Sequence, residues 1–218
     1  RAIIRELQDA ARNVVIVGGS GLFIQALLED FTFPGHDPAI RVALEAELEA
    51  GGVAALYAQL VAADAEAASH VLPTNARRIV RALEVFRLTG EVPKTTIGEL
   101  PEVIPSIRIG LRRDRAELDE RINARVDIMW EQGLVDEVRA LEAIGLRSGK
   151  TAAKGLGYSQ VLELLAGECT EAQAIEATKV GTRKFARRQD SWFGRDPRIN
   201  WFNANQPEEA ASFIRSEL

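Results

Sequence analysis

The sequence predicts an α/β protein, predominantly helical over this stretch, in which a buried parallel strand leads into a series of helices. Three observations predict it. Val14-Val15-Ile16-Val17 is an unbroken β-branched run, the pattern of a strand buried on both faces. Gly18-Gly19-Ser20-Gly21 follows at once and turns the chain into an apolar helix through Leu28. Most of the remaining 218-residue chain reads as capped amphipathic helices, with Ile104 to Leu111 and Asn200-Trp201-Phe202 as two further strand candidates. A parallel sheet with so few strands exposes its edges and apolar faces. The chain also opens on Arg1, and its one methionine is Met129. The expectation is the later part of a longer α/β protein whose earlier strands precede residue 1. The other reading is a mostly helical protein with a small two- or three-stranded sheet.

The elements follow in order. Arg1 to Asn13 carries Ile3, Ile4, Leu7 and Ala11 at helical spacing. The glycines at 18, 19 and 21 allow a sharp strand-to-helix turn and close approach of a ligand, with free N–H groups at the helix start and Ser20 exposed there. The same pattern also describes a tight turn with a serine cap. It is neither a Walker A loop, since no Lys-Ser or Lys-Thr follows, nor G-x-S-x-G. Phe31 to Pro38, with two prolines and a glycine, reads as a domain junction. Helices are expected over Pro38 to Ala50, Val53 to Ala62, Asp64 to His70, and from a Pro73-Thr74-Asn75 cap to Thr89. The last has Ile79, Leu83 and Phe86 toward the core and Arg77, Arg78 and Arg81 on the other side. Glu91 to Pro105 is loop-like. Residues 36–104 therefore read as a helical insertion domain within a core made of 1–35 and 105–218.

Beyond it, Asp114 caps a helix from Arg115 to Gln132 whose core stripe is Leu118, Ile122, Val126 and Met129, with Arg121 and Arg125 on another face. A helix over Leu134 to Ile144, a polar loop over Gly145 to Thr151, the segment AKGLGYSQ (Ala153 to Gln160) with a helix to Ala166, and a long helix from Thr170 to about Phe193 complete the chain.

Composition narrows the function classes. Lys and Arg total 27 against 32 Asp and Glu, a formal charge of -5, so the chain does not bind nucleic acid by being basic overall. No apolar run is long enough for a membrane helix. One cysteine, Cys169, and two histidines, His36 and His70, leave no intrachain disulfide and no Cys-based zinc site. A cytoplasmic protein is expected. Positive charge is nevertheless clustered. Residues 177–200 hold seven basic and two acidic side chains. Lys179, Arg183 and Arg187, four apart, line one helical face, Lys184 and Arg188 widen it, and Phe185, Gln189 and Trp192 make a neighbouring stripe. One such patch commonly is a solvated face. Several, each beside a glycine-rich or aromatic segment, point to a phosphate-rich ligand, for which RNA and a diphosphate both qualify.

The order of VVIVGGSGLFIQALLED, DPAIR, RRIVRALEV with TG after it, RINARVDIMWEQGLVDEV, AAKGLGYSQ and TRKFARRQDSWF is similar to that of the tRNA dimethylallyltransferases, the isopentenyl-diphosphate:tRNA transferases, from about Val14 to Phe202. The resemblance implies a P-loop-NTPase-like, nucleotide-binding parallel sheet core whose N-terminal strands are missing here, with a helical insertion domain that helps grip an anticodon stem-loop. It implies transfer of a dimethylallyl group from dimethylallyl diphosphate to N6 of the adenosine 3′ of the anticodon in tRNA. By the same resemblance Ser20, where the family usually has Thr, contacts the target adenosine as the catalytic hydroxyl. Arg41, Arg77, Arg78, Arg81, Lys154, Gly155, Gly157, Tyr158, Arg187, Arg188, Gln189 and Trp192 match tRNA-binding positions. Ser159 departs from the arginine often found there. Arg121, Arg125 and Arg183 are the candidates for the diphosphate. The family's Walker A loop and early Asp, the base for the N6 proton, lie upstream of Val14, so Mg²⁺ ligands are expected outside this chain and the isolated 218 residues are expected to be inactive. A monomer is expected. Two other readings remain: a relative that prenylates free adenine nucleotides, and a non-catalytic RNA-binding module.

Overall fold

A computed structural model describes residues 1–93, 100–149 and 151–217. The expected loops over 91–105 and 145–151 include residues 94–99 and 150, which lie outside the described residues. The chain divides into two compact units: Leu22–Pro105 together with Arg1, and Ala2–Gly21 together with Ser106–Leu218.

The first unit holds most of α2 (Gly21–Leu28), then α3 (Pro38–Ala63), α4 (Ala65–Ser69) and α5 (Ala76–Thr89). Its helix starts follow from the sequence. Asp37 accepts from the amides of Ala39 (2.8 Å) and Ile40 (3.3 Å) with Pro38 at the first turn, Asp64 caps α4, and Asn75 caps α5. Within α3 Gly52 is non-helical, at φ 73° and ψ 173°, so the span is two helices that meet at a kink, as the expected break at Gly51-Gly52 requires. Arg87 of α5 fastens the bend, donating to Glu47 (2.7 and 2.8 Å) on one side of Gly52 and to Gln59 (3.1 Å) on the other. The core is Leu44, Leu56, Leu60, Ile79 and Leu83, all buried, with Phe86 half-buried against it. Each such leucine or isoleucine contributes about 1.5–3 kcal/mol by leaving water.

Residues 22–35, expected in the core domain, belong to this unit. The reason lies at the C-terminal end of α2. Leu28 O accepts from Val103 N (2.8 Å) and Ile104 N (3.2 Å), Asp30 N donates to Pro101 O (2.8 Å), and the Arg1 guanidinium donates to Leu27 O and Ala26 O. These bonds satisfy the carbonyls that a helix end leaves free.

The second unit holds α1 (Ala2–Asp9), β1 (Arg108–Arg112), α6 (Arg115–Glu131), α7 (Leu134–Ala143), short 3₁₀ turns at Leu146–Ser148 and Ala152–Lys154, α8 (Tyr158–Leu165), α9 (Glu171–Phe193), β2 (Ile199–Asn203) and α10 (Pro207–Glu217). β1 and β2 pair in parallel, with Arg108 opposite Ile199, Gly110 opposite Trp201 and Arg112 opposite Asn203. Gly110 is required there, because a Cβ would lie 2.5 Å from the Trp201 ring. β1 starts later than the expected Ile104, at Arg108, where the parallel register with Ile199 begins. Beneath the strands, buried Arg108 pairs with buried Asp196, whose other oxygen accepts from Arg198 (2.8 Å). Leu134, Val138, Val161 and Leu162 form the helical core of this unit, with Met129 and Trp130 packed against it.

One expectation fails. Val14 to Val17 is not a strand: Val15 is 84% and Val17 92% exposed. A β-branched run becomes a buried strand only where ladders receive its edges and layers cover its faces. Among the described residues β1 and β2 pair with each other alone, and neither takes up this run. The parallel sheet is thus two-stranded here, in a mostly helical chain.

Candidate nucleic-acid interface

In the second unit the glycine-rich loop lies against the C-terminal half of α9. Gln189 Nε2 donates to Gly19 O (2.9 Å), and a Cβ on Gly19 would fall 2.0 Å from that nitrogen. A Cβ on Gly21 would fall 1.8 Å from Trp192 Nε1. Glycine is therefore needed at both positions for this docking. Ser20 stands between them, exposed, with its hydroxyl at the start of α2. Three sequence-predicted residues, Ser20, Gln189 and Trp192, are thus brought together.

Exposed cations and rings adjoin them. The Arg195 guanidinium lies 5.6 Å from the Trp192 ring centroid, and that of Arg188 lies 5.7 Å from Phe185, within cation–π range. Lys184 and Arg188 are exposed, four apart on α9, and have no ion-pair partner among the described residues. Stacking faces beside unpaired cations suit single-stranded nucleic acid.

The row Lys179, Arg183 and Arg187 is differently occupied. α6 opposes it with side chains at the same spacing of four. Lys179 pairs with Asp127 (2.6 Å), Arg183 donates to Asn123 and pairs with Glu176 (3.1 Å), and Arg187 pairs with Asp119 (3.6 Å). This face joins two helices and is not an open basic surface. Arg187 remains more than half exposed at its end of the row.

The three diphosphate candidates do not converge. Arg121 and Arg125 are exposed on α6, each two positions from a residue that meets α9, which is about 200° around the helix. Arg183 lies on the α9 side. Its own position on α9 is about 120–180° from Gln189 and Trp192 by the same periodicity, so the Ser20 loop and Arg183 occupy different faces.

At AKGLGYSQ, Lys154 is exposed at the end of a 3₁₀ turn. Gly155 leaves little room, a Cβ there meeting Ala152 O at 3.1 Å. Gly157, at φ 91°, is buried, and a Cβ there would touch Leu134 (3.5 Å) and Met129 (3.6 Å), so its close approach is to neighbouring helices. Tyr158 donates its hydroxyl to Glu137, and this bond, with burial and the carboxylate charge, raises its pKa above 10.0. That hydroxyl is a structural donor.

In the first unit Arg77 and Arg78 are exposed on α5, as expected. Arg81 and Arg41 are not free. Both reach the buried carboxylate of Glu84, at 2.9 Å each, and His36 Nδ1 meets it at 2.6 Å. Burial pushes the Glu84 pKa up, but hydrogen bonds from Arg81 and His36 and the charges of Arg41 and Arg81 outweigh it and hold the group below 4.5. Sequence reading missed Glu84 and His36. The signal was an acidic residue between Leu83 and Val85 in the apolar run of α5.

A glycine-rich turn laid on a basic, aromatic helix suits a phosphate-rich ligand. The family profile for IPP transferase matches residues 1–196, and the chain belongs to that family. It is 55% identical over 208 residues to the tRNA dimethylallyltransferase of Thermobifida fusca (strain YX), covering 95% of this chain and 65% of that protein. It is 53% identical over 203 residues to that of Streptomyces avermitilis, covering 93% and 65%. The solved full-length tRNA isopentenylpyrophosphate transferase of Bacillus halodurans superposes with TM-score 0.65 at 32% identity, over 99% of this chain and 70% of that one. The chain spans about 65% of the length of the curated relatives it matches.

Proposed function

We propose that the protein transfers a dimethylallyl group from dimethylallyl diphosphate to N6 of the adenosine next to the anticodon, position 37 of tRNA, releasing diphosphate. The observation that carries this reading is family membership over residues 1–196. The curated relatives named above carry the name tRNA dimethylallyltransferase.

The chemistry breaks the allylic C–O bond, forms the C–N6 bond and removes one proton from N6. The leaving diphosphate needs its charge stabilised, the exocyclic amine needs an acceptor for its proton, and the adenine must leave the loop stack. Residues of this chain suit the third need. The Ser20 hydroxyl, held between Gly19 and Gly21 on α9, offers a hydrogen bond to an unstacked purine. Trp192 and Phe185 offer stacking faces, and Lys184, Arg188 and Arg195 offer phosphate contacts. Arg121 and Arg125 remain the exposed candidates for the diphosphate. Mg²⁺ would neutralise leaving-group charge, but among the described residues no group of three His, Cys, Asp or Glu side chains is placed to hold a metal ion. No helix among the described residues is long and apolar enough to cross a membrane. We read the protein as a cytoplasmic monomer.

The test is transfer of radiolabelled dimethylallyl from its diphosphate to an anticodon stem-loop by the full-length protein, with AMP as competitor. Label in the stem-loop, undiminished by AMP, is expected. Label in AMP alone would support a free-nucleotide substrate, and RNA binding without label would support a binding module.

A further inference from the structure

Glu84 is a carboxylate with no exposed side-chain surface, on the same helix as the core residues Ile79 and Leu83. Its three partners come from separate segments. His36 belongs to the loop before α3, Arg41 to the first turn of α3, and Arg81 to α5 itself. Arg81 also donates to Gly35 O (3.0 Å) and Pro34 O (2.9 Å), so the same guanidinium fixes the loop that carries His36. The nearest acidic neighbour of His36 in sequence, Asp37, is engaged in capping α3.

Fold stability alone does not explain such a centre. An apolar side chain of similar volume commonly serves a core as well as a buried ion pair or better. The carboxylate does something an apolar group cannot. It holds two guanidinium heads, which repel one another, side by side, on side chains that are 28% exposed for Arg41 and 36% for Arg81. A guanidinium has five N–H donors, and Glu84 engages one nitrogen of each arginine. Arg81 uses three of its five donors on Glu84, Gly35 O and Pro34 O, which leaves two, and Arg41 keeps those beyond its Glu84 bond; Arg81 stands one turn of α5 from exposed Arg77 and Arg78.

We propose that Glu84 is a positioning residue that preorganises Arg41 and Arg81, with His36 beside them, as a phosphodiester-binding site for the RNA substrate. The inference rests on the reading of the substrate as RNA. Its physical basis is that long side chains already fixed lose less freedom when RNA arrives. Arg41 and Arg81 are the contacting groups, and Glu84 acts through them.

The experiment uses the full-length protein and the Glu84→Gln variant. Binding of an anticodon stem-loop is measured against salt, and KM for dimethylallyl diphosphate is measured separately. The substitution adds one unit of positive charge, so field strength alone would tighten RNA binding. Positioning predicts the opposite sign: affinity falls on the order of 10-fold, the loss of one charge-assisted hydrogen bond. KM for the small substrate is expected to stay unchanged. In an Arg41→Ala, Arg81→Ala background the Glu84→Gln change is expected to have no further effect. Unchanged or tighter RNA binding by Glu84→Gln overturns the inference. If that variant does not fold, Glu84→Asp keeps the charge and shortens its reach. The same weakening supports the proposal and unchanged affinity overturns it. Wild-type protein that fails to bind the stem-loop overturns the functional reading, and this inference with it. Wild-type protein that binds beside an equally competent variant overturns the inference alone.

Discussion

Gly19 and Gly21 both touch α9, but their replacement has different consequences. At Gly19 the obstacle to a methyl group is the far end of Gln189, a flexible side chain that can swing aside when its one hydrogen bond breaks. At Gly21 the obstacle is the indole of Trp192, met at 1.8 Å, which has no small adjustment available. Overpacking of this kind costs about 1–3 kcal/mol. Gly21→Ala should therefore displace Trp192 and weaken stem-loop binding more than Gly19→Ala does. Tryptophan fluorescence should shift to the red in the first variant and stay in place in the second. Equal behaviour of the two would mean that the loop does not rest on Trp192 in solution. Ser20 lies between these residues, so its placement depends on a glycine on either side of it.

At the scale of the helix, α9 carries two basic rows with different tasks. Lys179, Arg183 and Arg187 face Asp127, Asn123 and Asp119 of α6, and Lys184 and Arg188 face solvent. Partly exposed pairs contribute about 0.2–1 kcal/mol each. A double-mutant cycle on Lys179→Ala and Asp127→Ala should give a coupling in that range, read from urea unfolding, with RNA affinity little changed. Lys184→Ala and Arg188→Ala should show the reverse: unchanged stability, weaker RNA binding, and a salt slope flatter by about 0.7 for each RNA phosphate that the variant no longer neutralises. If the Lys179 change flattens the slope as much as the Arg188 change, the division of the helix is wrong. The basic row was plain in the sequence. Its occupation was also written there, in acidic and amide residues four apart on α6, but a row and its complement become one interface only when the antiparallel packing of the two helices is known. Helix ends were legible for the opposite reason: Asp37, Asp64, Asn75, Asp114 and Thr170 act on amides two or three residues away, so no tertiary information is needed. Val14 to Val17 could not be read this way, because burial of a strand depends on partners distant in sequence.

Across the whole molecule, each unit contains a buried carboxylate held by arginines: Glu84 in one, and Asp196 with Arg108 and Arg198 in the other. Burial raises the pKa of Asp196, but hydrogen bonds from the Arg198 side chain and backbone, and the charges of Arg108 and Arg198, bring it below its ordinary 3.8. Hydrogen bonds from Arg87 and Gln59 bring Glu47, at the surface, from 4.5 to about 2. In each case the folded pKa lies below the unfolded one, so below the ordinary carboxylate range the unfolded chain binds more protons and stability falls as pH falls. The stabilisation is complete above about pH 4.5 and is lost as each group protonates on the way down, Glu47 near pH 2. Solvent screens Glu47, so the buried pair of carboxylates should dominate. Calorimetry of the full-length protein should show a melting temperature level from about pH 7 to 5 and falling below about 4.5. Asp196→Asn should start lower and fall less steeply, because the group whose protonation drives the loss is gone. A melting temperature that rises on acidification would mean that these carboxylates are no better held in the folded protein than in the unfolded chain, and that the arginines around Glu84 are not fixed by it.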